Sequence, residues 1–374
     1  MRELYVGLMS GTSMDGIDAA LVEFDQQQIT LLASHSQPIP PALKHKLQLL
    51  SLDAAEASID MLGEADTELG QLFATAALQL LQSASTEPSA VTAIGSHGQT
   101  IRHRPDLKHR FSLQIGDANQ IAHLTGITTV SDFRRRDIAA GGEGAPLAPA
   151  FHQQVFTSPE ENRAVLNIGG ICNLTYLPAR PNSNANSTCF GFDTGPGNGL
   201  MDAWVHLHKQ QSYDPSGQWA ASSTADPALL AQLMSDPFLQ QPPPKSTGKE
   251  HYHLDWFQQQ LAGLANLSPE QVQATLSQFT CESVAEAIER HLPAVERLIV
   301  CGGGVHNSHL IDSLQRRLPN IQIESSEPHG VHPDWVEAIA FAWLARQTLL
   351  GLPGNLPAVT GADRPLVLGA IHPA

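Results

Sequence analysis

The stretch Tyr5-Val-Gly-Leu-Met-Ser-Gly-Thr-Ser-Met-Asp-Gly-Ile-Asp-Ala-Ala-Leu-Val-Glu-Phe24 consists of two short apolar runs joined by a polar, glycine-bearing turn. That pattern predicts a β-hairpin. Gly11 and Gly16 permit backbone angles that other residues resist, Thr12 and Ser13 add hydroxyl and amide donors, and Asp15 and Asp18 add carboxylates. Such a tip can hold a phosphate and its metal. Donors converge on the phosphate oxygens, and a carboxylate meets Mg²⁺ directly or through water, because Mg²⁺ prefers oxygen ligands and keeps several waters. Taken alone, the turn also reads as an ordinary solvent-exposed hairpin loop.

The chain repeats the device. Ala164-Val-Leu-Asn-Ile-Gly-Gly-Ile-Cys-Asn-Leu-Thr-Tyr-Leu177 is again an apolar run, a Gly169-Gly170 turn and a second strand-like run. Two glycine-tipped hairpins so far apart suggest two related lobes clasping one polyphosphate.

Composition agrees with two domains, since 374 residues are many for a single core. The 37 acidic against 21 basic side chains leave a net charge of −16. That charge opposes non-specific attraction to nucleic acid or to an anionic membrane, so phosphate contacts must be local. Cys172, Cys189, Cys281 and Cys301 show no zinc spacing and read as reduced, mostly buried thiols. The N-terminus enters a strand without the apolar core of a signal peptide, and no run is long enough to span a bilayer, which predicts a cytoplasmic protein.

Along the chain, Ile29 to Ser34 predicts a third strand of the first meander, and Leu69, Leu72, Phe73, Ala76 and Leu80 recur at helical spacing with one buried stripe. Val91 to Thr100 resembles a buried strand that delivers Ser96, His97, Gln99 and Thr100 into a polar turn beyond its end, where ligands of open α/β sheets sit. His97 reads equally as a structural histidine, and Arg102 to Arg104 as a solvated basic turn. Asp132-Phe-Arg-Arg-Arg-Asp137 is either a solvated charge run or an anion-binding device. If extended, it would put Arg134 and Arg136 on one face.

Cys189-Phe-Gly-Phe-Asp-Thr-Gly-Pro-Gly-Asn-Gly199 delivers Asp193 from a strand into a glycine-crowded turn, the placement of a general base, with a turn-forming role as the alternative. Pro242-Pro-Pro-Lys-Ser-Thr-Gly-Lys249 lacks the leading glycine and the preceding strand of a P-loop, although Lys245, Ser246 and Thr247 could touch phosphate. Ser268-Pro-Glu-Gln271 is a capping box opening a helix to about Arg290. Arg297 to Cys301 is a buried strand ending in Gly302, Gly303 and Gly304. The run fails as a Rossmann fingerprint because Asn307 stands at the third glycine, yet it still lets a flat ring or a phosphate lie against the backbone. Trp335 to Ala345 is a small-residue helix with Glu337 in its first turn, where dipole compensation is the plain reading. Pro365-Leu-Val-Leu-Gly369 suggests a last short strand.

Together the two hairpins, the strand-borne acid, the triple glycine and the alanine-rich helix resemble the actin-like ATPase and sugar-kinase superfamily. Within it, Gly7 to Asp18, Gly95 to Thr100, Asp132 to Asp137, Gly191 to Asn198 and Cys301 to Gly304 are similar, in order, to the motifs of the anhydro-N-acetylmuramic acid kinase family. The resemblance implies a two-lobed α/β fold, ribonuclease H-like, with mixed sheets flanked by helices and a cleft that closes on ligands. The first lobe would comprise residues 1–132 and 350–374, the second 133–349. It implies a cytoplasmic enzyme of peptidoglycan recycling and a homodimer. Using ATP and Mg²⁺, it would convert 1,6-anhydro-N-acetylmuramic acid and water to N-acetylmuramic acid 6-phosphate.

Under that resemblance Asp193 is the base that activates water. ATP falls to Gly11, Thr12, Ser13, Met14, Asp15, Gly16, Ile17, Asp18, Gly169, Gly170, Gly302, Gly303 and Gly304, with Asp15 or Asp18 near the metal. His97 and Glu337 fall to the sugar, and Arg136 to its lactyl carboxylate. Two rivals are an actin-like ATP-binding module without sugar chemistry, which leaves the arginine run, His97 and Asp193 unexplained, and a hexose kinase whose aspartate deprotonates a sugar hydroxyl.

Overall fold

The computed structural model describes residues 2–374 apart from 12–13, 26–27, 53–56, 180–187, 249–250, 265–266 and 293. Apolar runs and turn residues resolve, in chain order, into β1 (Glu3–Ser10), β2 (Gly16–Asp25), β3 (Gln28–Pro38), α1 (Pro41–Leu52), α2 (Ile59–Ser83), β4 (Val91–Arg104), β5 (Phe111–Ile115), α3 (Ala118–Thr125), β6 (Thr129–Ser131), α4 (Phe133–Ala139) and α5 (Ala148–Phe156). There follow β7 (Arg163–Ile168), β8 (Ile171–Leu177), β9 (Phe190–Pro196), α6 (Gly199–Lys209), α7 (Gln218–Ala221), α8 (Pro227–Met234), α9 (Pro237–Gln240), α10 (Leu254–Leu261), α11 (Pro269–His291), β10 (Arg297–Cys301), α12 (Ser308–Arg317) and β11 (Gln322–Ser325). The chain closes with α13 (Val336–Leu349), α14 (Pro357–Thr360) and β12 (Ala370–His372).

Two compact units result, one of residues 1–151 and 330–374, the other of residues 152–329. The first unit is longer than the expected lobe at both joints, and the second correspondingly shorter, because segment 133–151 and helix α13 return to the first sheet. Asp137 is the hub of that return: it accepts from Asn355 Nδ2 at 2.6 Å, Thr360 Oγ1 at 2.7 Å and Gly144 N at 2.9 Å.

The first sheet runs β12-β6-β4-β1-β2-β3, with β5 paired to β4, and the second runs β11-β10-β7-β8-β9. Both contain the same path. An antiparallel three-strand meander, β1-β2-β3 or β7-β8-β9, is extended on the side of its first strand by two parallel strands, β4 and β6 or β10 and β11. The two related halves expected from the paired hairpins are therefore present as two copies of one mixed-sheet topology, which is the ribonuclease H-like α/β arrangement.

Alternation along β1 sorts its faces. Val6 and Leu8 pack with Leu43, Leu47, Leu69 and Phe73 of α1 and α2. Gly7 faces the other way, where a side chain would run into the Ala338 carbonyl, and Gly95 of β4 likewise faces the Phe341 carbonyl. Two glycines thus let α13, whose Ala338, Ala340, Ala342 and Ala345 are all buried, lie directly on the sheet. In the second unit Leu166, Ile168, Leu174, Leu298 and Val300 form a core with Val272, Leu276, Phe279 and Val284 of α11. That helix begins with the expected capping box, Ser268 Oγ accepting from Gln271 N. All four cysteines are free and buried.

The expected strand at 365–369 is not formed. Leu366 N instead donates to Asn355 Oδ1 and Leu368 O accepts from Thr348 Oγ1, so the last strand forms at Ala370–His372 against β6. No helix among the described residues is long and apolar enough to cross a membrane.

Candidate active site

In the first unit the Tyr5–Phe24 stretch is a hairpin, antiparallel from Glu3 opposite Phe24 to Met9 opposite Asp18. Thr12 and Ser13 lie outside the described residues. Met14 and Ile17 turn their side chains into the core, so what they can offer a ligand is backbone. Asp15 is exposed and pairs with Lys44 at 2.6 Å. Asp18 is half-buried; its Oδ1 accepts from Ser36 Oγ at 3.1 Å, and burial, with a further push from Asp334, raises its carboxyl above the usual range.

Strand β4 does not stop at Gly95. It runs on to Arg104 because β5 pairs with it from Gln99 to Arg104, so His97, Gln99 and Thr100 sit within the strand and Arg102 to Arg104 are not a turn. His97 is 5% exposed and packs on the Phe341 ring at 4.7 Å. Its Nδ1 is 2.9 Å from Gly98 O, which requires a proton on that nitrogen. Its Nε2 accepts from Arg134 Nε at 3.2 Å and Nη2 at 2.9 Å. Burial first, and the Arg134 charge second, push the imidazole down to about 3. His97 is a neutral acceptor and cannot serve as a base near neutrality.

The three arginines lie on α4, not on an extended segment, so Arg134 and Arg136 do not share a face. Phe133 and Asp137 provide the buried side of this helix. Arg135 approaches Asp132 at 3.5 Å and Arg136 is exposed. Arg134 turns inward, donating from Nη1 to Gly144 O at 2.8 Å and to His97 from the side of its fork. Burial lowers the guanidinium to about 10, with Glu337 and then Asp137 pulling it back up. Nη1 and Nη2 carry four N–H groups between them, of which the bonds to Gly144 and His97 use two, and a guanidinium with N–H groups to spare can grip a carboxylate. Glu337, in the first turn of α13, is solvent-accessible yet crowded by protein, and desolvation raises its carboxyl while Arg134 lowers it and Asp18 raises it further. His97, Arg134, Glu337 and Asp18 thus form one electrostatically linked group, which dipole compensation alone does not describe.

In the second unit the glycine turns gather at one end of the sheet. β7, β9 and β10 run in the same direction, and their C-terminal ends carry Gly169-Gly170, Gly197 to Gly199 and Gly302 to Gly304. The turns lock together: Gly197 N donates to Gly170 O at 3.0 Å and Asn198 N to Gly169 O at 2.7 Å. A side chain at Gly197 would strike the Gly169 carbonyl, and Gly302, at φ +78°, lies against the Asn167 side chain.

Asp193 is the middle residue of β9, opposite Asn173 and three residues short of this end, so it lies within the strand and not in the glycine turn expected for it. Its Oδ2 accepts from Ser246 Oγ at 3.0 Å and from Thr247 N at 2.9 Å, and its own N donates to Lys245 O at 3.0 Å. Residues 245–247 of the Pro242–Lys249 segment are therefore an arm on the aspartate, and Lys245 is not available to phosphate. Its ammonium is buried and donates to Phe238 O at 3.0 Å and Leu239 O at 3.1 Å, and burial lowers it to about 8. Sequence reasoning missed the Ser246–Asp193 and Arg134–His97 pairs, since no local pattern marks contacts at such separations.

A sequence model of the anhydro-N-acetylmuramic acid kinase family matches residues 3–374. The chain is similar to the Coxiella burnetii anhydro-N-acetylmuramic acid kinase, at 51% identity over 371 residues covering 99% of this chain and 98% of that one. It is similar also to the Shewanella pealeana anhydro-N-acetylmuramic acid kinase, at 52% over 370 residues, 99% and 98% of the two chains. Among solved structures, the Acidaminococcus fermentans (R)-2-hydroxyglutaryl-CoA dehydratase component A is similar at 11% identity and a TM-score of 0.47, over 91% of this chain and 96% of that one. A match over essentially the whole length, with identity above half, places the chain in the anhydro-N-acetylmuramic acid kinase family.

Proposed function

We propose that the protein uses ATP to phosphorylate 1,6-anhydro-N-acetylmuramic acid while water opens the anhydro bridge, giving N-acetylmuramic acid 6-phosphate in cytoplasmic peptidoglycan recycling. The observation that carries the mechanism is the position of Asp193, a hydrogen-bonded carboxylate on β9 three residues before the strand reaches the interlocked turns at Gly169-Gly170 and Gly197 to Gly199.

Asp193 takes a proton from water, and the water oxygen attacks the anomeric carbon. The C1–O6 bond breaks and O6 bonds to the γ-phosphorus as ADP leaves. An inverting glycosidase needs a separate acid on the departing oxygen. In this reaction the phosphoryl group takes the place of that proton. Phosphoryl transfer demands positioning and charge neutralisation more than covalent help. Gly169-Gly170 and Gly302 to Gly304 offer close backbone approach to the nucleotide, as does the first hairpin through Gly11, Gly16 and the backbone around them. Of the two arginines, Arg134 suits the lactyl carboxylate better than the exposed Arg136, because its guanidinium is held in place by His97 and the Gly144 carbonyl. Glu337 hydrogen-bonds the sugar.

The acidic groups fit Mg²⁺. Asp18 stands in a negative field with Asp334 and Glu337 that a divalent ion relieves, while Asp15 is engaged by Lys44. Among the described residues no group of three or more His, Cys, Asp or Glu forms a metal cage. Mg²⁺ would be held there mainly by water and substrate phosphates, as this ion keeps several waters, and would neutralise phosphate charge. A homodimer, carried over from the family resemblance, belongs to the same reading and is checked by sedimentation.

The test is turnover in ¹⁸O water with ATP, Mg²⁺ and the anhydro sugar. Label read early at the anomeric hydroxyl, together with ADP release, is expected; an unlabelled anomeric oxygen would leave an ordinary hydroxyl kinase. Asp193→Asn should abolish turnover and leave ATP binding largely intact, and retained turnover removes Asp193 from the base role.

A further inference from the structure

We propose that residues 245–247 form the positioning element of Asp193, with the Ser246 hydroxyl setting the direction in which the carboxylate meets its water. The inference rests on the reading of Asp193 as the base and adds a residue to it. Three hydrogen bonds bracket the aspartate from this one segment, two on Oδ2 and one on its backbone N–H. Two donors on one oxygen hold the side-chain torsion, so the plane of the carboxylate cannot swing. A general base loses efficiency quickly when its lone pair is misdirected, because proton transfer requires hydrogen-bond geometry at the moment of reaction.

The segment is itself anchored. Lys245 is 8% exposed, donates to the carbonyls of Phe238 and Leu239 at the end of α9, and sits 4.6 Å from the centroid of the Phe238 ring. Ser246, in contrast, is exposed; among the described residues its hydroxyl bonds Asp193 alone, and truncating it removes nothing from the core. Thr247 contributes through its backbone, which substitution of the side chain leaves in place. Two donors to the ionised carboxylate also favour that form over the protonated one. A serine that acts on the base must therefore move the acid limb of the rate profile, which a merely structural serine would not.

Full-length Ser246→Ala and Ser246→Thr are compared with wild type and with Asp193→Asn, using ATP, Mg²⁺ and the anhydro sugar from pH 5 to 9. For Ser246→Ala, kcat should fall about tenfold, the effect of one lost hydrogen bond to a charged group. KM for both substrates should stay within about twofold, and the acid limb of kcat should move upward. Ser246→Thr, which keeps the hydroxyl, should recover most of the rate. An unchanged kcat in Ser246→Ala beside an inactive Asp193→Asn overturns the positioning role and spares the base. A raised KM for ATP at normal kcat overturns it too, returning the segment to phosphate binding. An active Asp193→Asn overturns the base reading and this inference with it.

Discussion

Arg134 donates from both Nε and Nη2 to a single acceptor, His97 Nε2, at 3.2 and 2.9 Å. With Nδ1–H committed to Gly98 O, the imidazole is locked neutral in one tautomer. Its folded pKa, about 3, lies below the ordinary value of about 6.5, so its contribution to stability is complete above pH 6.5 and is lost as pH falls toward 3. Glu337, with a raised carboxyl, changes stability in the opposite sense, so only a comparison between variants isolates the histidine. His97→Gln, which cannot titrate, should lose stability less steeply between pH 6.5 and 4, the difference in slope reaching at most ~1.4 kcal/mol per pH unit. Urea unfolding at several pH values measures it, and parallel curves for the two proteins would refute the locked imidazole.

The same pair decides between the arginines. Arg134→Lys keeps a charge but loses the fork, and a bidentate site does not tolerate that exchange. KM for the sugar should rise on the order of tenfold or more, with KM for ATP little changed, whereas Arg136→Ala should stay within about threefold of wild type for both. Steady-state kinetics with each substrate varied in turn reads this directly. The reverse ranking would move the carboxylate contact to Arg136.

These two cases show which parts of the protein were legible in its sequence. The hairpins at Tyr5–Phe24 and Ala164–Leu177, the capping box at Ser268 and the alanine helix at Trp335 are written within about twenty residues each, as alternation, turn chemistry or helical period. The Asp132–Asp137 run carries no such period, and its helix is decided by the burial of Phe133 and by Asp137 bonding to Asn355 and Thr360, more than two hundred residues away. Strand β4 looked finished at its glycine because its continuation depends on pairing with β5. Candidate residues such as Asp193 and His97 were visible as chemistry; the partners that tell their state, Ser246 and Arg134, come from the folded chain.

Gly7 and Gly63 make a paired prediction on stability. A methyl group at Gly7 collides with the Ala338 carbonyl of α13, a backbone atom that cannot step aside. Gly7→Ala should therefore destabilise at or above the upper end of the ~1–3 kcal/mol usual for overpacking. Gly63, inside α2, is exposed and meets nothing within 4 Å, so Gly63→Ala should stabilise by ~0.5–1 kcal/mol through helix propensity and a less flexible unfolded chain. Urea midpoints of the two variants should move in opposite directions. A Gly7→Ala midpoint at or above wild type would refute the close approach of α13 to β1.

Burial and then Asp334 raise the Asp18 carboxyl, burial and then Asp18 raise that of Glu337, and a divalent cation is the natural relief of such a field. Asp18→Asn keeps the shape and the Ser36 neighbour but removes one negative charge. The Mg²⁺ concentration for half-maximal activity at fixed ATP should then rise by about tenfold, the loss of roughly 1.4 kcal/mol of cation attraction, and saturating Mg²⁺ should restore a good part of the rate. Removing the charge also lowers the Glu337 carboxyl toward its ordinary range, so any limb of the pH profile due to Glu337 should shift to lower pH in the same variant. Activity followed across a Mg²⁺ titration in the presence and absence of chelator measures the first effect. An unaltered Mg²⁺ requirement in Asp18→Asn would take the cation away from this hairpin.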